Sequence, residues 1–353
     1  MGSIFGRYLR AATFGESHGK AVGVVVEGLP AGLAVSAEMI QRDLDRRRPG
    51  QSVFTSARRE ADQVEILSGV GADGLSLGTP IALLVRNQDA RSKDYGELAR
   101  LFRPGHADFT YFHKYGVPPQ PGGGRASGRE TVGRVAAGAL ARALLAQEGV
   151  GIQAYTVQVG GMRAQACDLA FAQGDPLRCP DPAVAEAMAD EVRQALAAGD
   201  SVGGVVEVLI TGAPAGLGDP VADKLDALLA GAMLGIGGVK GLEVGDGFAV
   251  AARRGSANND QISPQGFLSN HAGGILGGIS TGQDIVLRLA VKPTPSIAQP
   301  QQTIDLDGQA RTIQIKGRHD PCLCPRIAPV AEAMAALVLA DAWLAQRAAR
   351  NIR

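Results

Sequence analysis

The sequence predicts a single α+β domain in which sheets and helices interleave, and three observations carry that prediction. Short β-branched runs closed by glycine alternate with longer segments at helical spacing along the whole 353-residue chain. No hydrophilic linker, charge block or low-complexity stretch separates one half from the other. No strand leads into a G-x-G-x-x-G turn with an acid about twenty residues on, which disfavours a doubly wound nucleotide fold.

Residues 21–27 (AVGVVVE) are β-branched and end at Gly28, the pattern of a buried strand. Residues 36–48 follow Pro30 and Gly32, set Met39, Ile40 and Leu44 near helical spacing and stop at Pro49-Gly50, which predicts a helix. Residues 63–69 and 79–85 read as strands with glycine turns between them. After the Gly/Pro-rich stretch 116–124 comes an alanine-rich helix over 129–147, with Ser127 as N-cap and Glu130 in capping-box position. In the second half, 152–159, 204–211, 283–291 and 312–316 read as strands. Residues 182–198, 220–234 and 329–347 read as helices, the last ending in a polar tail expected to fray from about residue 345.

Composition narrows the function. Thirty-five Lys plus Arg balance 35 Asp plus Glu, which argues against a general nucleic-acid binder. The 48 glycines against 9 Phe, 5 Tyr and 1 Trp commit many positions to backbone geometry, meaning tight turns and close approach of main chain to a ligand. The start, MGSIFGRYLRAATFGESHG, holds no apolar stretch of signal-peptide or membrane-span length, so a cytoplasmic protein is expected, with no membrane partner. Cys167, Cys179, Cys322 and Cys324 lack zinc-site spacing, and no metal is expected.

Four of the five histidines lie in glycine-punctuated loops: His18 in GESHG, His106 in RPGHAD, His271 in SNHAGG and His319 in GRHDP. A lone loop histidine is ordinarily a surface or capping residue, but sites are commonly assembled from loops on a rigid scaffold. Only His113 lies in an aromatic stretch. Arginines form a second constellation. Arg46, Arg47, Arg48, Arg58 and Arg59 cluster near a helix C-terminus, where the dipole alone favours cations. Arg125 and Arg129 instead flank Gly122-Gly123-Gly124 and Ser127 at a helix N-terminus, where N–H groups and guanidinium forks together suit an anion. With the rigid, hydroxyl-bearing turn 292–296 (KPTPS), they imply a small, multiply anionic ligand.

Eight segments, spread in order from residue 13 to 322, resemble chorismate synthase: TFGESHG from 13, RRRPG from 46, RPGHAD from 103, GGGRASGRET from 122, VKG with GDGF from 239, SNHAGGILGGIS from 269, KPTPSI from 292 and GRHDPC from 317. The resemblance implies a β-α-β sandwich and a lyase converting 5-enolpyruvylshikimate 3-phosphate to chorismate by anti 1,4-elimination of phosphate and the C6 proton. It also implies reduced FMN without net redox change, and a homotetramer. Carried over by position, His18 would protonate the departing phosphate, and His106 would act near flavin N1. Asp320 with Ser17 would manage the C6 proton. Arg48, Arg103 and Arg129 would bind the substrate's anionic groups. The flavin would lie against Arg125-Ala126-Ser127, Gly237-Gly238, Gly277, Lys292-Pro293-Thr294-Pro295-Ser296 and Arg318. In members that reduce their own flavin, Arg48 also lies near NADPH.

The chain departs from the family pattern in four places. Val117-Pro118-Pro119-Gln120-Pro121 stands where many members carry an Asp-Tyr-Arg run; Gly128 replaces the commoner alanine, and Gly237-Gly238 a bulkier pair. Phe54 occupies a position that is basic in some relatives and associated there with NADP, so the reductant, NADPH included, is left open and an external flavin reductase is the expected partner. Two other functions compete. A flavin enzyme with net redox chemistry would need a stoichiometric reductant. A non-catalytic metabolite-binding protein would have little reason to keep His18, His106 and Asp320 in loops.

Overall fold

The computed structural model describes residues 2–52, 54–55, 60–88, 100–315 and 319–349, and among these two five-stranded antiparallel sheets enclose a layer of helices. The N-terminal half contributes β1 (Ile4–Phe5), β2 (Arg10–Gly15), β3 (Ala21–Glu27), α1 (Ala37–Arg47), β4 (Val64–Ile66), β5 (Ile81–Arg86), α2 (Asp108–Tyr115) and α3 (Thr131–Ala146). Its sheet runs β1-β2-β3-β5-β4. The C-terminal half contributes β6 (Gly151–Val159), β7 (Met162–Arg163), α4 (Leu169–Gly174), α5 (Ala185–Ala197), β8 (Gly204–Thr211), α6 (Leu225–Leu234) and β9 (Val239–Val244). There follow a short α7 (Gly255–Asn258) and two small hairpins, β10 (Ile262–Ser263) with β11 (Gly266–Phe267) and β12 (Ile275–Leu276) with β13 (Ile279–Ser280). The chain ends with β14 (Ile285–Val291), β15 (Gln301–Ile304), β16 (Ala310–Ile313) and α8 (Cys324–Ala349). The second sheet runs β7-β6-β8-β14-β9.

The central layer explains where many of the small residues went. α3 packs on β3 on one side and on α8 on the other, while α8 covers β6 and β8. A Cβ on Gly133 would lie 2.7 Å from the Gly23 carbonyl of β3, and one on Gly138 would collide with Ala333 of α8. Glycine therefore serves helix approach as well as turns. α8 is long and apolar enough to cross a membrane by composition, yet 78% of its most apolar window is buried between the sheets.

One proline interrupts α8 at Pro329, which has no N–H for the carbonyl of Pro325. Arg178 takes up that acceptor, donating from Nε to Pro325 O at 3.0 Å and from Nη2 to Arg46 O at 2.9 Å, from a backbone at φ 59°. Burial pushes its guanidinium down to about 10. Beside it the buried Glu332 accepts from Arg46 Nη2 at 2.7 Å, Arg142 Nη1 at 3.0 Å and Ala154 N at 2.9 Å, so each of its oxygens is satisfied.

Several boundaries differ from expectation. The helix expected over 129–147 opens as a 3₁₀ turn over Gly128–Glu130. The capping box does not form: Ser127 Oγ accepts from Arg129 N at 3.2 Å, whereas Glu130 turns inward to Thr13 Oγ1 at 2.9 Å and Arg134 Nε at 2.8 Å. The strand expected at 312–316 is β16, placed earlier by its register with β15. Pro182 and Pro220 precede their helices rather than open them. The last helix begins at Cys324, since Arg178 compensates Pro329, and is helical to Ala349; the rest of the tail expected to fray from about 345 lies outside the described residues. Arg347 there lies over the Trp343 ring at 4.7 Å.

Candidate active site

Ser17 and His18 follow β2, whose last residue, Gly15, turns at φ 87° under the carbonyl of Ala21. His106 follows Gly105 (φ 69°), in a turn closed by His106 N donating to Arg103 O at 3.2 Å. Asp108, the first residue of α2, receives Arg103 Nε at 2.6 Å and Nη2 at 2.8 Å, and its Oδ1 lies 2.8 Å from His106 Nδ1. Burial opposes ionisation there, but the hydrogen bonds from Arg103 and His106 outweigh it and hold the carboxyl well below its usual range.

Between the two histidines stands the glycine triplet. Gly122, Gly123 and Gly124 have φ of 65°, 86° and 53°, a run that side-chain-bearing residues rarely adopt. A Cβ on Gly122 would collide with the His18 ring, and one on Gly123 would lie 2.8 Å from His106 Cε1. Gly124 O accepts from Ser17 N at 3.4 Å. The triplet is thus a wall of bare backbone shared by both imidazoles.

The KPTPS turn joins the same cluster. Lys292 Nζ donates to Gly105 O at 2.6 Å, and Lys292 N to Gly238 O at 2.9 Å. Thr294 Oγ1 donates to Asp320 O at 2.6 Å. Asp320 is buried, its Oδ2 receiving Arg326 Nη1 at 2.6 Å. Burial pushes His319 below its ordinary value, and Arg103 adds to this, Asp320 opposing and His106 assisting, so this imidazole belongs to the same neighbourhood.

The arginines divide by environment. Arg129 is buried, with Nε on Asn87 Oδ1 at 2.8 Å and Nη1 on Asp62. Asp62, at φ 47°, also receives Arg47 Nη1 at 2.9 Å; burial, then the nearby Arg326, pushes Arg47 down to about 9. Arg48 is half exposed, with Asp45 3.7 Å away. Arg125 fastens β2, donating to Gly15 O at 3.1 Å, Thr13 O at 3.2 Å and Thr13 Oγ1 at 2.7 Å, so much of the fork expected to face an anion is engaged internally.

Not every expected residue joins this cluster. Gly277 and Gly278 turn the β12–β13 hairpin, where Leu225 N, opening α6, donates to Gly278 O at 2.8 Å. Gly237-Gly238 follows the other end of α6, about 15 Å away along a ten-residue helix. His271 pairs with Asp246 at 2.6 Å beside Gly245 and Gly273, and His113 stacks on Phe109 at 4.3 Å. Arg318, Arg58 and Arg59 lie outside the described residues. Sequence reasoning gave Asp108 and Asp62 no role, whereas His319 was already among the loop histidines it singled out. Of those two, Asp108 left a signal, an acid two residues after His106 and opening a helix.

Two imidazoles across one backbone wall, with a buried carboxylate on the adjoining loop, can deliver and accept protons on a ligand held among them. The family model described as chorismate synthase matches residues 9–344. The chain is 58% identical over 346 residues to the chorismate synthase of Nitratidesulfovibrio vulgaris (strain Hildenborough), covering 98% of each. It is 57% identical over 343 residues to that of Syntrophobacter fumaroxidans, covering 97% of each. A solved structure titled "Crystal Structure of Chorismate Synthase" superposes with a TM-score of 0.77 at 33% identity, covering 97% of this chain and 93% of that one.

Proposed function

The chain belongs to the chorismate synthase family, and we propose that it performs the family's reaction with reduced FMN, using His18, His106, Ser17 and Asp320 at the reacting atoms. The reaction is the lyase step that removes phosphate and the C6 proton from 5-enolpyruvylshikimate 3-phosphate to give chorismate. The observation that carries the site assignment is the glycine wall between His18 and His106, with the loop bearing Asp320 joined to it through the KPTPS turn.

On this reading His18 delivers a proton to the departing phosphate. His106, across the wall, would act near N1 of a bound flavin. Asp320 and Ser17, both buried, hold the proton that leaves C6. One edge of the Arg103 fork is taken by Asp108, so its other edge meets a substrate anion, together with Arg48 and Arg129. The residues suit a flavin: Gly122 and Gly123 keep bare backbone against the two imidazoles, Arg125-Ala126-Ser127, Gly237-Gly238 and Lys292 to Ser296 would hold the cofactor from the adjoining loops, and the family pattern assigns Arg318 to it as well. Reduced FMN, when bound, supplies electron density to the breaking C–O bond and an N5 acceptor, without net redox change. Gly277, at the far end of α6, would serve a neighbouring subunit's flavin in a homotetramer. The whole chain would act as one domain in the cytoplasm, with reduced flavin supplied by a separate reductase, and the NADPH arm of the assay below decides whether the chain also reduces flavin itself.

The test is an anaerobic assay with photoreduced FMN, with and without NADPH. Chorismate should form with catalytic reduced FMN alone, and the arm with NADPH and oxidised FMN reports whether the chain reduces its own flavin. Product that tracks a stoichiometric reductant would instead support a net redox enzyme.

A further inference from the structure

We propose that Asp108 is a positioning residue for the reaction: it fixes the hydrogen of His106 on Nδ1 and so presents Nε2 to the Gly123 side of the site. The inference rests on the reading of His106 given above. Two groups approach His106 Nδ1, Asp108 Oδ1 at 2.8 Å and Arg103 Nη2 at 3.1 Å, and they ask for opposite tautomers. A guanidinium can only donate, which would require a bare Nδ1. A carboxylate gripped by Nε and Nη2 of the same arginine is ionised and can only accept, which requires Nδ1–H. The shorter contact decides. Arg103 Nη2 already has an acceptor in Asp108 Oδ1 at 2.8 Å, so its nearness to Nδ1 follows from both groups sharing that oxygen.

The remaining geometry follows from this. Asp108 does not cap α2, whose N-cap residue Ala107 makes no side-chain hydrogen bond; its carboxylate faces back into the loop instead. Arg103 N also donates to Asp108 Oδ2, at 3.2 Å, so the carboxylate is held from backbone and side chain at once. With Nδ1 committed, Nε2 is the nitrogen left for chemistry, and it lies 3.1 Å from where a Cβ on Gly123 would stand. A side chain at 123 would press on that nitrogen, and glycine does not. A carboxylate that orients an imidazole in this way acts on rate through the histidine, not through contact with substrate.

The test compares the parent with Asp108→Asn and Asp108→Glu in the full chain, by steady-state kinetics with photoreduced FMN and by ¹⁵N spectra of labelled histidines, His106 being assigned from His106→Ala. In the parent, His106 should carry hydrogen on Nδ1. In Asp108→Asn the amide can donate to Nδ1, and the ring should move to the Nε2–H form as kcat falls by about 10²-fold or more with KM changed only a few-fold. Asp108→Glu should restore the Nδ1–H signature and part of kcat. Parental kcat in Asp108→Asn, or a slow Asp108→Asn enzyme whose His106 spectrum is unchanged, would overturn the inference. Should the Asn variant fail to fold, the Glu variant decides alone: Nδ1–H with partial kcat supports the inference, and a folded Glu enzyme without that signature overturns it. Parental activity in His106→Ala would remove the reading of His106 itself. An inactive His106→Ala beside a fully active Asp108→Asn would remove only the part given to Asp108.

Discussion

Gly123 lies flush against the imidazole of His106: a Cβ there would stand 2.8 Å from Cε1 and 3.1 Å from Nε2, on a backbone at φ 86°. Two penalties await Gly123→Ala, backbone strain and displacement of the ring. Gly116 separates them, because it too has positive φ, 67°, but nothing lies within 4 Å of its Cβ position. Gly116→Ala should lose about 1 kcal/mol of stability from strain and keep its activity. Gly123→Ala should lose at least as much stability and most of its turnover. Denaturant midpoints and kcat, measured on both, check this; equal activity in the two variants would mean the ring tolerates the methyl group.

Asp320→Asn keeps shape and hydrogen bonding but removes the base. Its kcat should fall by about 10²-fold or more, with flavin and substrate affinity little changed. In anaerobic stopped-flow spectra the flavin–substrate complex should form and stall, and decay at the parental rate would remove Asp320 from proton handling. Its contact with Arg326 offers the structural alternative, which would show as a lowered melting temperature with parental kcat.

Arg129→Lys should weaken substrate binding, because an ammonium cannot reproduce a planar fork. The structure adds a second consequence. Arg129 and Arg47 share the buried Asp62, so Asp62→Ala leaves Arg129 with Glu60 at 3.8 Å and Arg47 with neutral acceptors only, and should cost about 3–5 kcal/mol. Calorimetry of substrate binding to Arg129→Lys distinguishes the roles: unchanged affinity would make Arg129 purely a partner of Asp62.

How much of this was legible in sequence can be judged from particular residues. The strand at 21–27 and the helix near 37–47 were read correctly because their signals are local: a β-branched run stopped at Gly28, and an apolar stripe stopped at Pro49-Gly50. Pairings between distant segments were not legible. Arg125 reads as an anion fork beside three glycines, yet it bonds to Thr13, 112 positions away. Pro329 reads as a helix start, and only Arg178, reaching across to Pro325 O, lets the helix begin earlier. Strand β2 (RAATFG) and helix α2 escaped notice, the first for its weak alternation and the second for its all-round aromatic content. In the site, motif resemblance singled out His18 and His106, but the wall between them is a property of three consecutive φ angles.

Acid stability should depend on Asp108. Its folded pKa is depressed, so the unfolded state binds more protons in the acid range and stability rises with pH there. The contribution is complete above the unfolded carboxylate value, about 3.9, and is lost as pH falls below it towards the folded value. Urea midpoints of parent and Asp108→Asn, followed downward from pH 5, should therefore converge, the parent falling more steeply. Parallel curves would mean that the carboxylate gains nothing from Arg103 and His106.

The central claim is that His18 and His106 both act on one substrate from either side of the Gly122–Gly124 wall. The most direct measurement is the anaerobic rate of chorismate formation, with saturating photoreduced FMN, in His18→Ala, His106→Ala and the parent, with folding checked by circular dichroism. Each variant should remain folded and lose about 10²-fold or more in kcat, the scale for removing a general acid or base. A folded variant of either histidine that turns over within a few-fold of the parent would contradict the claim.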